Sequence, residues 1–353
     1  MAGGVSSDRN ENTGSDAEAE SNADAGSDAG TESDADTESD TIAGERETEP
    51  ERSLRTTLGM VGELVRAPNL FTAPPDVILG AALVVAAGHD FVPAIVAGLA
   101  IGSVCLYAGG TTLNDAFDAP VDARDRPERP IPSGRISRRT AFGLGLALLL
   151  VAVGIAFIVA GGPAAAAAGL VATAIIAYDG LMKGSAAGFL AMGATRGLNV
   201  VLGTTAAGSA VLEFPLRLLA VPAVVTGYIA AVTFMAARET EGANRGAVAI
   251  AATGAAAAVL AVGWFLVSGS PTALEAIVAT AFAVAFCWWV GRPLRAASVD
   301  PVPSTVGPAV GACVLGLVLL DAAFATATGV RWGLAAGVFL VPAVGLSYVF
   351  DVT

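Results

Sequence analysis

The residues best suited to chemistry lie in one polar stretch, NDAFDAPVDARDRPERPIPSGRIS, residues 114–137, between two long apolar runs. Asp115, Asp118 and Asp122 fall at i, i+3 and i+7. A helix carried one or two turns past the apolar run sets these carboxylates on one face. Asn114 and Asp118, at i and i+4, lie on the adjoining edge, which Tyr107 and Thr111 continue back into the run. With no His or Cys nearby, this is an oxygen-only donor set. It selects a hard cation, and Mg²⁺ is the usual one where phosphate is handled. A divalent cation carrying a diphosphate would relieve the repulsion among the acids, and Arg126 and Arg129 could take the remaining phosphate oxygens. Pro127, Pro130 and Pro132 end the helix and stiffen the loop, holding those arginines near the acids. A second reading fits the same spacing: a charged cap that keeps two helix ends in water.

The elements around this stretch belong to a membrane protein. Of 353 residues, 54% are hydrophobic and 14% charged, with a mean hydropathy of +0.66, a balance too apolar for a protein in water. The net charge of −13 resides in residues 1–50, where fifteen acids face only Arg9 and Arg46. This stretch has almost no large apolar side chain to offset chain entropy, so it reads as a disordered acidic tail. Residues 51–68 place Leu54, Leu58, Val61 and Val65 on one face among arginines, the pattern of an amphipathic interfacial helix. From 69 to 353 the chain reads as an all-α polytopic membrane domain of nine or ten spans. They are expected near 70–88, 92–114, 138–160, 164–181, 186–208, 216–237, 246–268, 272–291, 304–325 and 330–349, each about the length of a bilayer crossing.

Arginines cluster before span 1 and after spans 2, 6 and 8, and Lys183, the sole lysine, follows span 4. By the positive-inside rule this sets the N-terminal tail and the polar loops on the cytoplasmic side of the cell membrane. The lipid bilayer is thus one partner, and no nucleic acid is expected. Cys105, Cys287 and Cys313 lie in apolar runs without a CxxC pair, and His89 is the only histidine. Neither a disulfide framework, a thiolate metal site nor a Ser-His-Asp triad is implied.

The polar stretch resembles the first Asp-rich motif of the UbiA superfamily of intramembrane prenyltransferases, NDxxDxxxD followed by RPxPxG. Asn114, Asp115, Asp118, Asp122, Arg129, Pro130, Pro132 and Gly134 fall in step with it. The resemblance implies a helical bundle around a central cavity and Mg²⁺-dependent transfer of a prenyl group. The donor would be an isoprenyl diphosphate, and the acceptor a hydrophobic molecule such as an aromatic quinone precursor or a glycerol-phosphate lipid. Asp115, Asp118 and Asp122 would hold the metal, with Asn114 as a further oxygen donor. Arg129, Arg126 and Lys183 would neutralise the leaving diphosphate. Tyr178, before Lys183 in AIIAYDGLMKG, would shape the cavity or steady positive charge through its ring. Arg196 and Asn199 sit inside an apolar run, where an arginine is costly unless it meets a polar cavity or a buried carboxylate. The first setting would let Arg196 orient an acceptor or touch the diphosphate; the second would make it structural.

A second Asp-rich motif, typically DxxxD after span 6, is altered. In RETEGANRG, Glu239 replaces the first acid and Glu241 keeps the middle one, while Ala243 stands at the second Asp position. Glu239 and Glu241 are then the candidate ligands for a second metal, with Arg238 and Arg245 taking more of the phosphate charge. A transporter or structural protein is the rival from another class, although a transporter would keep more ionisable residues at mid-membrane; Arg196 and Asp321 are the two that lie there. The D-G-x-x-A-R…G-x-x-x-D-x-x-x-D pattern of CDP-alcohol phosphotransferases is missing. If the altered motif only weakens a second metal site, Ala243→Asp should lower the Mg²⁺ concentration that half-saturates turnover. An unchanged Mg²⁺ dependence would count against that account.

Overall fold

The computed structural model describes residues 59–90, 92–239 and 244–348, all within one compact unit, Thr48–Thr353. Among the described residues the secondary structure is helical throughout. A short helix, α1 (59–64), and a turn lead into α2 (Ala67–Leu70) and α3 (Ala73–Ala86). Then come α4 (Pro93–Asp125), α5 (Arg138–Ala177), a π-helical turn (Tyr178–Met182), α6 (Ala186–Thr204), a 3₁₀ segment (Thr205–Glu213), α7 (Leu216–Ala237) and α8 (Arg245–Val267). The chain closes with α9 (Ala273–Val299), α10 (Pro303–Thr326), α11 (Val330–Gly337) and α12 (Leu340–Ser347).

Local chemistry sets these boundaries. Proline opens α3, α4 and α10 within their first two positions, where its missing N–H costs nothing. Ser137, Ser185 and Asn244 cap α5, α6 and α8 by accepting from the third backbone N–H, and Thr272 with Glu275 forms a capping box on α9. The α4 helix runs to Asp125 and stops two residues before Pro127. At 33 residues it is about 50 Å long, so its last turns must leave the ~30 Å hydrocarbon layer.

The two halves of α5 are joined without a loop. Forty residues of straight helix would span about 60 Å, yet both ends return to the same part of α4. Arg138 Nε donates to Ala116 O at 2.7 Å, and Lys183, just past the π turn, pairs with Asp118. The reversal occurs at Gly161 (φ 77°, ψ −162°), two residues before Pro163. A positive φ of this kind is open to glycine at little cost.

Among the described residues, eight helices are long and apolar enough to cross a bilayer by length and composition. The difference from the nine or ten expected has two causes. The stretch Arg138–Met182 counts once although it folds back on itself, and α6 carries Arg196 and Asn199, which lower its hydropathy. The last expected span is two short helices, α11 and α12. The expected helix over 51–68 also differs. Its residues 51–58 lie outside the described residues, and the rest breaks at 65–66. Of the expected apolar face Val61 is exposed, whereas Leu64, off that face, is buried in a cluster with Ala116, Ala119 and Ile131. The acidic tail, 1–50, lies outside the described residues.

The bundle packs α4 along α5, α6 along α7, α9 along α10, and α3 against α4, α6, α10 and α11. Small residues permit the closest approaches: a Cβ on Gly80 of α3 would fall 2.7 Å from the Cα of Gly203 in α6. Large apolar side chains such as Leu150, Ile158, Leu260 and Val267 point outward, a surface suited to lipid.

Pro120, inside α4, has no N–H to give the carbonyl four residues back, Ala116. Arg138 supplies the missing donor. Removing it should leave a carbonyl without a partner at a cost of about 1–3 kcal/mol. Arg138→Met is therefore expected to lower Tm in detergent. The loss should be smaller in a Pro120→Ala background, where the helix satisfies its own carbonyl; equal losses in both backgrounds would refute the link.

Candidate active site at the mouth of an intramembrane cavity

A cavity of about 650 Å³ opens among α2, α4, α5, α6, α7 and α10. Its mouth carries Arg66, Asn114, Arg126, Arg129, Asp179, Lys183 and Glu239; its walls include Leu106, Val171, Ile175, Ile229, Val232 and Val310. Charge at one end and hydrocarbon below suit a ligand with an anionic head and an apolar body.

The row of acids on α4 is held by cations from three other segments. Asp115 accepts from Arg66 at 3.2 Å and lies 3.7 Å from Arg129. Asp122 pairs with Arg129 at 2.9 Å. Arg129 thus serves two carboxylates seven residues apart, consistent with their common face. Asp118 turns to the other side and pairs with Lys183. The expected single cluster of three carboxylates is therefore divided, because each acid takes the nearest cation. Among the described residues no three acidic, histidine or cysteine side chains converge as a metal site. The donor chemistry still fits a hard cation: Asp115 and Asp122 already face one shared positive charge, and every nearby donor is oxygen.

Arg66 reaches Asp115 from a left-handed backbone (φ 50°, ψ 60°), the only such non-glycine among the described residues. That conformation costs of order 1–3 kcal/mol and persists where surrounding contacts enforce it. The π turn after α5 brings Asp179 and Lys183 into the mouth, with the Lys183 ammonium 6.0 Å from the Tyr178 ring centroid. Asn114 Nδ2 donates to Asp179 Oδ1 at 2.7 Å. On the far wall, Glu239 Oε1 lies where a Cβ on Gly307 would come within 2.8 Å, so the glycine leaves room for the carboxylate. Burial raises the Glu239 pKa above the ordinary glutamate value, against the opposing charge of Arg126.

Other expected residues are placed differently. Arg238 stacks over Phe234, 5.5 Å from the ring centroid, and is outside the cavity lining. Arg245 reaches Val299 O at 3.4 Å, where its charge complements the end of α9 rather than a phosphate. Glu241 and Ala243 lie outside the described residues.

Deeper in the cavity, Arg196 and Asn199 line the wall beside Tyr107 and Ser103. Arg196 Nε lies 3.2 Å from Asp76 Oδ2, and the same guanidinium donates to Thr72 O and sits 5.9 Å from the Tyr107 ring centroid. Asn199 Nδ2 donates to Asp76 Oδ2 at 2.8 Å and to Ala73 O at 3.0 Å. Both settings foreseen for Arg196, a polar cavity and a buried carboxylate, are met together. Sequence reasoning missed Asp76, Asp179 and the role of Arg66. A lone acid within PPDVILGAALVV was the available signal for Asp76. In the sequence Arg66 is only one of the arginines before span 1, and Asp179 only a neighbour of Tyr178.

The model of the UbiA prenyltransferase family matches residues 77–299. Digeranylgeranylglyceryl phosphate synthase from Methanopyrus kandleri is 44% identical over 97 residues, covering 28% of this chain and 34% of that one. The enzyme of that name from Ignicoccus hospitalis is 47% identical over 87 residues, 25% of this chain and 27% of that one. The chain thus matches about a third of the length of these curated relatives. A UbiA homologue from Aeropyrum pernix K1 superposes with a TM-score of 0.55 at 18% identity, over 72% of this chain and 96% of that one. A homologue from Archaeoglobus fulgidus, solved with DMAPP and Mg²⁺, gives 0.55 at 15% identity, over 79% of this chain and 99% of that one. At such identities the structures speak for the fold alone. With the family model spanning well over half of the sequence, the chain belongs to the UbiA prenyltransferase family.

Proposed function

We propose that this protein transfers the prenyl group of an isoprenyl diphosphate to a lipid-soluble acceptor, with Mg²⁺ as cofactor. The observation that carries the reading is the set of α4 acids paired with Arg66, Arg129 and Lys183, cations that line the charged mouth of the cavity. The Archaeoglobus homologue bound to DMAPP and Mg²⁺ supports the choice of donor and metal.

Asp115, Asp118 and Asp122 would hold the metal, joined by the Asn114 carbonyl oxygen, which is left over once its amide group serves Asp179. Glu239 would add a ligand from the opposite wall. When bound, Mg²⁺ supplies positive charge between these acids and the diphosphate oxygens. Relieved of part of their carboxylate load, Arg129, Arg66 and Lys183 can donate to the remaining diphosphate oxygens, Arg129 in a fork suited to two of them. These donors stabilise the charge that develops as the allylic C–O bond breaks and the diphosphate leaves with the bonding pair. The Tyr178 ring offers its face to the positive prenyl carbon. Apolar walls keep water from that carbon, so the acceptor's nucleophilic atom forms the new bond and then loses its proton to the departing diphosphate. The crowding of arginine and lysine at this end supports a cytoplasmic side for the mouth and the N-terminal tail. The two curated relatives carry a glycerol-phosphate lipid product in their names; that lipid class and aromatic quinone precursors are the acceptors to test first.

Incubation of the purified protein in nanodiscs with labelled isoprenyl diphosphate, Mg²⁺ and a panel of acceptors tests this reading. Asp115→Ala and Lys183→Met should each lower kcat by about 10²-fold or more, the cost of removing one group that stabilises developing charge. Product formation that survives Asp115→Ala unchanged would remove the assignment. By contrast, Arg245→Gln should leave kcat/KM within about twofold, as for a surface change distant from the chemistry.

A further inference from the structure

A second concavity lies on the outer flank of the bundle, away from the intramembrane cavity. It is a groove of about 630 Å³ between α8 and α9, with Ala255 and Val259 on one side and Phe286, Val290 and Leu294 on the other. From Phe286 to Ser298 its lining follows α9 for about 18 Å of rise. Half of a ~30 Å hydrocarbon layer is about 15 Å, so the groove is as deep as one leaflet. Ala256, Cys287 and Gly291 of the lining are exposed, and Trp264 and Val284 stand exposed on the same two helices. The groove therefore opens toward lipid.

Its two ends differ. The inner end, at Leu260 and Phe286, is hydrocarbon, while the outer end carries Arg295 and Ser298. At 27 residues α9 is about 40 Å long, and Arg295 stands four residues before its end, at the head-group boundary. The start of α10 follows directly, where Gly307 meets Glu239 at the cavity mouth. Arg295 thus belongs to the leaflet on the side of the mouth. Among the described residues it makes no hydrogen bond, ion pair or ring contact. Its neighbours are engaged: Arg292 lies over the Trp288 ring, 5.3 Å from the centroid, and Arg245 donates to Val299 O at 3.4 Å. No acid lines the groove, and Asp300, the next acid along the chain, pairs with none of the three arginines.

A free guanidinium at the head of a leaflet-deep apolar channel matches a molecule with a phosphate and a long hydrocarbon chain. A neutral lipid would leave Arg295 without a partner, and a zwitterionic one would bring an ammonium into the field of three arginines. A water-soluble phosphate would gain nothing from the channel. A second copy packed through the same face would set Arg295 at the same depth on both sides, like charge against like. We propose that the groove binds one anionic phospholipid, with its phosphate on Arg295 and one hydrocarbon chain laid between α8 and α9. The lipid completes the packing of these two helices. The site is separate from prenyl transfer and stands whether or not that reading does.

Purified protein in detergent is titrated with dioleoyl phosphatidylglycerol or dioleoyl phosphatidylcholine, and bound lipid is counted by native mass spectrometry. The first phosphatidylglycerol should bind at least about fivefold tighter than the first phosphatidylcholine, the effect of one arginine beside an anionic head. Equal affinities overturn the proposal. Arg295→Gln should reduce that preference by about fivefold, and an unmoved preference overturns it as well. Gly291→Leu tests the channel: a Cβ there meets nothing within 4 Å, so the new side chain enters the groove without a clash. It should weaken the first phosphatidylglycerol by about tenfold. Gly263→Leu, equally free of neighbours but outside the groove, should leave that affinity within about twofold. Both changes replace glycine inside a helix, which favours the helix and preserves the fold. Equal effects of the two leucines defeat the channel assignment. So does a dimer that Gly291→Leu dissolves, which would give the groove to a second copy of this chain.

Discussion

Acids on successive turns of a single helix, at the edge of a low-dielectric bundle, are held only if positive charge reaches them from elsewhere. Asp115, Asp118 and Asp122 are met by Arg66 from the N-terminal approach, Arg129 from the following loop and Lys183 from the end of α5. Much of the surrounding architecture follows from that demand. The chain before α2 takes a left-handed residue to deliver Arg66, prolines end α4 soon enough for Arg129 to fold back, and a π turn directs Lys183 inward. The same cations are then poised to exchange one set of anionic oxygens for another. Groups that already neutralise carboxylates need little rearrangement to neutralise a diphosphate.

Charge compensation is arranged differently at the two depths of the cavity. At the mouth the ion pairs are partly exposed, and each cation can release its partner when a stronger ligand arrives. At the floor the pair Arg196–Asp76 is buried, backed by Asn199 and the Thr72 carbonyl, and held between helices that touch through glycine. Removing one member of such a pair leaves an uncompensated buried charge. The mouth is therefore suited to turnover, and the floor to holding a shape.

How much of this was visible in the sequence depended on the range of the interactions involved. Span boundaries came from local hydropathy, and α7 begins and ends where its apolar run does, at 216 and 237. The spacing of Asp115 and Asp122 foretold a shared face because helical geometry links residues seven apart. Pairings across the bundle have no such period. Arg196 and Asp76 are 120 residues apart, and Arg66 and Asp115 are 49 apart; neither partner specifies the other along the chain. Arg245 was misplaced for a related reason, since a basic residue at the start of a helix looks alike whether it faces a phosphate or the carbonyls of a neighbouring helix end.

The reversal at Gly161 has a consequence for how the protein is made. Two membrane crossings are joined there by backbone that remains helical on both sides, with no polar connector between them. A nascent chain of this design offers the insertion machinery no hydrophilic segment to thread across on its own. Such a pair is built to enter lipid together, as one helical hairpin.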